Sequence, residues 1–188
     1  MTLRFEKPSL KYVEAFAQAL EEGPFTYMAL GGHGDISAED LRADPDGYME
    51  LVNSPAPRLV KTGDGQEFTL KDHEIMWVLD DKDRFIGGVS LRFDQGCALI
   101  DDYAGHAGMS VRHGLIGKGY GVKAAIQGWQ YVLEQAKKRG LKEVRASADP
   151  NNPNSWRLIE HLGGECIREV DLYGWGPAKL YSIDLDKV

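Results

Sequence analysis

The residues with most chemistry to offer are Gly108-Met109-Ser110-Val111-Arg112 running into Ile116-Gly117-Lys118-Gly119-Tyr120-Gly121, which read as a short strand, a glycine-rich loop and a helix start. Glycines at a helix start leave backbone N–H groups unpaired and uncovered by side chains, and the positive end of the helix dipole adds to their pull on an anion. The chemistry expected of this stretch is the holding of a phosphate by main-chain donors. Lys118 is placed to add charge there, its other reading being an ordinary solvated lysine.

The helix that must position the loop is the clearest element in the chain. Val122, Ile126, Trp129, Leu133 and Ala136 recur at the spacing that buries one stripe, while Lys123, Gln127, Gln130 and Glu134 fall off it. Lys137, Lys138 and Arg139 suit the negative end of the dipole, and Gly140 supplies a left-handed stop, so the helix is predicted to start near Gly119.

Three phosphate-loop patterns compete. A Walker loop needs a hydroxyl after its lysine, but Lys118 is followed by Gly119. A dinucleotide fingerprint needs Gly-x-Gly-x-x-Gly directly after a strand, and Gly117-Lys118-Gly119-Tyr120-Gly121 has the wrong last interval. Gly119 and Gly121 do match the Arg/Gln-x-x-Gly-x-Gly/Ala pyrophosphate loop of the GNAT superfamily of N-acetyltransferases, which the stretch resembles. Downstream, Asp149-Pro150-Asn151-Asn152-Pro153-Asn154-Ser155 leads into a short helix from Trp156 to Leu162 and a stop at Gly163-Gly164, similar to the superfamily's Asn-x-x-Ser/Ala element. Asn152 is a helix cap in this reading and Pro153 the first helical residue, with Leu158, Ile159 and Leu162 on the buried side. Glu74–Val78, Phe85–Arg92 and Gly105–Arg112 are also similar to a bacterial subgroup of predicted acetyltransferases, and the similarity covers about residues 74 to 185. The sequence departs from the family at Ile116, where Arg or Gln is usual, and at Ile159, where many members carry a Tyr able to protonate the departing thiolate.

The resemblance implies an α+β fold with a mixed, mostly antiparallel central sheet flanked by helices, and one domain over residues 1–188. It implies an acyltransferase that moves acetyl from acetyl-CoA, the co-substrate, to a primary amine of a small molecule or peptide by direct attack, with no metal. Met109, Ser110 and Val111 would then offer backbone groups to the pantetheine arm, and Ile116, Gly117, Lys118, Gly119, Tyr120 and Gly121 would surround the pyrophosphate. Asn152 and Ser155 complete the cofactor set. A base near neutral pKa is wanted for the amine proton, and His106 is the first candidate, the alternatives being a structural histidine beside Gly105 and Asp102 and a water relay. Ser155 and Tyr173 are the candidates for the acid that protonates the thiolate, with Tyr181 behind them. Trp77, Trp129 and Trp156 are expected in the core, and Trp175 at the acceptor mouth.

Composition sets the outer bounds. With 188 residues, 43% hydrophobic and 27% charged, the chain has ordinary globular values and is long enough for one substantial core. The net charge of −7 argues against a nucleic-acid surface; it reads first as an acidic solubilising surface and is permissive of a cationic amine. The residues from Met1 to Pro8 hold no apolar run, and no stretch approaches the ~18 apolar residues of a membrane span, so the expectation is a cytoplasmic protein without a membrane partner. Cys97 and Cys166 read as buried free thiols. The resemblance admits a homodimer. Two other functions compete for the same residues: an acyl-CoA-binding regulatory module without turnover, from the departures at Ile116 and Ile159, and a dinucleotide oxidoreductase from the glycines alone.

Along the chain, a strand is predicted from Thr2 to Glu6 and a helix from Leu10 to Glu22 capped by Ser9, with Val13, Phe16, Ala17 and Leu20 inward. Phe25 to Ile36 reads as a mobile loop, and Ser37 with Asp40 as a capping box that opens a helical region interrupted at Pro45. A hairpin is expected around Gly63-Asp64-Gly65. Strands should follow at Ile75–Leu79, Phe85–Phe93, Ala98–Val111 and Glu143–Ala148, then near Cys166–Leu172 and Lys179–Leu185, the first two joined at Asp80-Asp81-Lys82-Asp83.

Overall fold

Phe85 to Arg92 is buried at every position, and His73 to Leu79 at all but its first two, which only strands covered on both faces can be. In the computed structural model, which describes residues 2–25, 35–171 and 176–188, these are strands β4 (His73–Leu79) and β5 (Phe85–Arg92). They lie at the centre of a sheet ordered β1-β4-β5-β6, with β1 at Arg4–Glu6 and β6 at Ala107–Val111. The chain divides into two units. The first comprises Met1–Pro55, Glu74–Leu91 and Gly108–Gln130, and the second Ala56–His73, Arg92–Ala107 and Tyr131–Val188.

In the first unit, helices α1 (Val13–Glu21), α2 (Ala38–Ala43) and α3 (Pro45–Asn53) supply the apolar faces that the sheet lacks. Phe16 is fully buried and touches the rings of Phe85 and Trp77, with centroids 4.8 and 4.9 Å away. Leu41, Tyr48, Met49 and Val52 close the same core. Ser37 Oγ accepts the Asp40 N–H at 3.0 Å, the forward half of the expected capping box, while the Asp40 carboxylate accepts the Ser37 hydroxyl at 2.6 Å rather than the Ser37 N–H. Asp44 caps α3 by accepting the Gly47 N–H at 2.9 Å, and Pro45 sits in its first turn. Ser9 differs from expectation. Its side chain caps nothing, because Leu10–Tyr12 form a 3-10 turn in which the Tyr12 N–H reaches the Ser9 carbonyl, and the α-helix begins at Val13.

Helix α4 (Gly119–Lys138) starts where the sequence places it and ends at Gly140, whose φ is +76°. Trp129, Leu133 and Ala136 of the predicted stripe are buried and Ile126 is half-buried, but Val122 is 55% exposed, and Gly121, Ala124 and Gly128 are buried in the first half of the helix. The reason is close approach: a Cβ on Gly128 would lie 2.4 Å from the Met109 thioether, so the glycines, not Val122, face the sheet.

The second unit holds the hairpin β2 (Arg58–Lys61) and β3 (Glu67–Leu70), as expected, and an antiparallel sheet ordered β7-β9-β8. Its strands are β7 (Glu143–Ala148), β8 (Gly164–Asp171) and β9 (Pro177–Asp184), and helix α5 (Pro153–His161) joins β7 to β8. Strand pairing is antiparallel wherever its register is defined, within separate sheets of four, two and three strands among the described residues. The strand expected over Ala98–Val111 needs correction: Leu99–Ala104 is a π-helical turn and only Ala107–Val111 is extended. Leu99, Ile100 and Ala104 bury one face at helical spacing, and Gly105, at φ +73°, ends the turn. Only glycine fits there, since a Cβ would stand 2.3 Å from the Arg145 carbonyl oxygen.

Candidate active site

Strand β6 is the edge of its four-stranded sheet, so one long side of its backbone has no strand partner in that sheet. After Val111 the chain makes a 3-10 turn over His113–Leu115, reverses at Gly117 with φ +73°, and enters α4. The amides on this path divide into two groups. Those of Leu115, Ile116, Lys118 and Gly121 donate to the carbonyls of Arg112, His113, Leu115 and Lys118. Those of Gly117, Gly119 and Tyr120 meet no acceptor among the described residues.

These free donors stand in the open. Gly117, Lys118 and Gly119 are exposed, and a Cβ added at Gly117 or Gly119 would meet nothing within 4 Å. Unpaired N–H groups at the head of a 20-residue helix, with open space at Gly117 and Gly119, have the chemistry to hold an anion. Gly121 differs from its neighbours. A Cβ there would lie 2.3 Å from the Leu115 carbonyl oxygen, so its hydrogen side chain lets the loop pack on the helix. Lys118 Nζ donates to the Gly114 carbonyl at 2.5 Å, and the Ile116 side chain is 55% exposed. Met109, Ser110 and Val111 are half-buried, and the Met109 thioether lies against Gly128.

Two carboxylates that sequence reasoning did not single out hold this path in place. Glu22, just past the end of α1, accepts from Arg112 Nε at 2.8 Å, Arg112 Nη2 at 2.5 Å and the Gly114 N–H at 3.1 Å. The Arg112 guanidinium keeps its carboxyl below the usual range. Asp80, fully buried in the β4–β5 turn, accepts the Lys82 and Arg84 N–H groups at 2.9 Å, Arg84 Nε at 2.7 Å and the Tyr120 hydroxyl at 3.3 Å. Burial pulls the Asp80 carboxyl upward, but the Arg84 amide and guanidinium and the Lys82 amide outweigh it and leave it lowered. No signal in the sequence links Glu22 to residues ninety positions away.

The remaining predicted residues, apart from the loop, Trp77 and Trp129, belong to the second unit. His106 is half-buried, and its Nδ1 accepts the Arg145 N–H at 2.9 Å. Burial pushes its pKa down to about 4, so the ring is neutral at pH 7. With Nδ1 accepting, the proton of the neutral ring sits on Nε2, and no lone pair is left for a substrate. Asn152 caps α5, its Oδ1 accepting the Ser155 N–H at 3.2 Å. The Ser155 hydroxyl, half-buried, makes no hydrogen bond among the described residues. Ile159 is fully buried. Tyr181 is fully buried too, donates to Glu160 at 3.4 Å and has its pKa pushed up to about 12 by burial. Trp77 and Trp129 are core residues, as expected, but Trp156 is half-buried, with the Arg157 guanidinium and the Lys179 ammonium 5.2 and 5.3 Å from its ring; Cys97 and Cys166 are free thiols, but half-buried and exposed rather than buried. Tyr173, Trp175 and most of the loop predicted over Phe25–Ile36 lie outside the described residues. No group of three or more His, Cys, Asp or Glu side chains is placed to hold a metal among those described, and no described helix is long and apolar enough to cross a membrane.

The fold is that of GNAT acetyltransferases. The structure of a GNAT-family acetyltransferase from Bacillus anthracis is similar over 99% of this chain and 96% of its own, at 17% identity and a TM-score of 0.59. RimL, a ribosomal L7/L12 α-N-protein acetyltransferase in complex with coenzyme A, is similar over 100% and 97%, at 13% identity and a TM-score of 0.63. A variant of the spermidine N-acetyltransferase SpeG from Vibrio cholerae is similar over 98% and 95%, at 13% identity and a TM-score of 0.57. No curated protein sequence matches the chain. The family model described as acetyltransferase (GNAT) domain matches residues 33–165, so the chain belongs to the GNAT acetyltransferase family and is an acyltransferase.

Proposed function

We propose that the protein transfers the acetyl group of acetyl-CoA to a primary amine of a small molecule or peptide, and that residues 1–188 act as one catalytic domain in the cytoplasm. The observation that carries this reading is the set of free amides at Gly117, Gly119 and Tyr120, which matches the need of a diphosphate for fixed donors in open space. Acetyl-CoA supplies an activated thioester; the chain supplies position. The free edge of β6 at Met109–Val111 suits the amides of the pantetheine arm, which pair with a strand edge as a peptide does. Attack by the neutral amine nitrogen forms the C–N bond as the C–S bond breaks, the amine loses a proton and the thiolate gains one. The Ser155 hydroxyl, without another hydrogen bond among the described residues, is the side chain we assign to the thiolate proton, and a thiol with an unperturbed pKa of about 8.5 needs little more help. The net charge of −7 favours cationic acceptors.

The amine proton goes to water in this reading, because His106 is occupied at Nδ1 and its pKa is far below the working pH. Its ordinary value of 6.5 is depressed to about 4 in the fold. Between these values the unfolded chain binds a proton that the folded one does not. The stabilisation is therefore complete above pH 6.5 and is lost as pH falls toward 4. In His106→Asn, denaturant midpoints should vary less over that window than in the parent, and the shape of kcat/KM against pH above 6.5 should be unchanged. Loss of the acidic limb, the rise in kcat/KM as a base deprotonates, would return His106 to the role of base.

Thiol release from acetyl-CoA across a panel of primary amines, spermidine and a peptide N-terminus among them, tests the transferase activity. Amine-dependent release above the hydrolytic background is expected. Binding of coenzyme A with no release on any amine would support the regulatory-module reading, for which buried Ile159 in place of a tyrosine is the motive.

A further inference from the structure

The loop between β6 and α4 has only a short 3-10 turn to shape it, yet it must keep particular amides pointed outward. Its first half is gripped from outside. Glu22 binds Arg112 through both carboxylate oxygens and takes the Gly114 N–H on the oxygen that also receives Arg112 Nε. Arg112 in turn donates Nη1 to the Phe85 carbonyl at 3.4 Å, so the same guanidinium is tied to the start of β5. Neighbouring residues make room for this grip. A Cβ on Gly114 would stand 2.5 Å from the Glu22 carboxylate, and one on Gly23, at φ +151°, would stand 2.8 Å from the His113 ring.

We propose that Glu22 is a positioning residue for the cofactor, its carboxylate locking Arg112 and the Gly114 amide so that the loop presents Gly117, Gly119 and Tyr120 to the diphosphate of coenzyme A. The proposal rests on the reading of that loop as the diphosphate site. Glu22 touches no ligand in this role. The side chains of Glu22 and Arg112 keep 37% and 16% exposure, and a pair so placed adds little to global stability by itself. Its value is in geometry, since donors fixed before the ligand arrives need no reordering when it binds.

Charge and geometry predict opposite signs here, which makes the test sharp. Removing the Glu22 charge leaves the Arg112 cation unneutralised near an anion site, so charge alone would tighten coenzyme A binding. Release of the loop would weaken it. Calorimetric titration of the full chain with coenzyme A at one ionic strength should show Glu22→Gln weaker by about tenfold, a misplaced-site effect. KM for acetyl-CoA should rise in parallel while kcat stays within about twofold, because binding rather than chemistry is touched. Glu22→Asp should recover part of the loss, and Glu22→Gln/Arg112→Gln should remain weak although the freed cation is gone. In the unsubstituted protein without ligand, the Gly114 amide should exchange slowly with deuterium.

Unchanged or tighter binding by Glu22→Gln, or rapid exchange at Gly114 in the parent, overturns the clamp while the diphosphate reading stands on the parent's affinity. A parent protein that binds no coenzyme A overturns both.

Discussion

Gly119→Glu is expected to abolish coenzyme A binding while leaving the protein folded. A Cβ at this position meets nothing within 4 Å, so the substitution has no internal clash to resolve. Exposed substitutions of this kind change stability by about 0.5 kcal/mol or less, which for a chain of this size moves Tm by about 2 °C at most. The ligand meets a different situation. The carboxylate brings bulk and like charge onto the donors of Gly117, Gly119 and Tyr120. Charge-assisted hydrogen bonds are worth roughly 1.5–3 kcal/mol each, so losing two of them weakens binding by about 100-fold or more. Titration of both proteins with coenzyme A, beside their thermal melts, checks this. Equal affinities would remove the anion site from the account.

Two residues on, the same residue type should respond in the opposite way. Gly121→Ala brings a Cβ to 2.3 Å from the Leu115 carbonyl oxygen, a backbone atom that cannot swing aside. Alanine gains about 1 kcal/mol of helix propensity over glycine, and overpacking against fixed atoms costs about 1–3 kcal/mol, with a backbone oxygen at the upper end. The clash wins. The net loss should be about 2 kcal/mol, read as a fall of roughly 4–8 °C in Tm. An unchanged or raised melting temperature would show that Gly121 is not held against the loop. The contrast separates a glycine kept for a ligand from one kept for packing, which the pattern Gly-x-Gly does not do.

Features governed by near neighbours were legible in the sequence. The start of α4 at Gly119, its stop at Gly140, the Ser37 cap, the interruption at Pro45 and the Asn152 cap all depend on residues within a turn of each other. Features governed by distant contact were not. Val122 fits the apolar stripe of α4, but Gly128 must face Met109, and that turns Val122 to solvent. Ala98–Val111 has the apolar content of a strand, yet the backbone of Arg145 and Ala146 packs so closely on Gly105 that the chain reverses there after a π-helical turn. In the site itself, the glycine loop and the β6 edge were visible as motifs. The carboxylates that set the loop, Glu22 and Asp80, were not, because each is adjacent to it only after folding.

His106 shows the limit of reading chemistry from residue type. An imidazole just before strand β6 has the right unperturbed pKa for a base, but in the fold burial lowers that pKa and Nδ1 accepts the Arg145 N–H, which favours the proposal that water takes the amine proton.

Main-chain donors at the head of α4 are what we propose to hold the diphosphate of coenzyme A. Titrating the ¹⁵N-labelled protein with coenzyme A and following each amide proton tests it most directly. Large, saturating downfield shifts are predicted at Gly117, Gly119 and Tyr120, with smaller changes at Lys118 and Gly121, whose N–H groups are already bonded. Saturable binding that leaves those resonances in place, or their failure to move at any concentration, would contradict it.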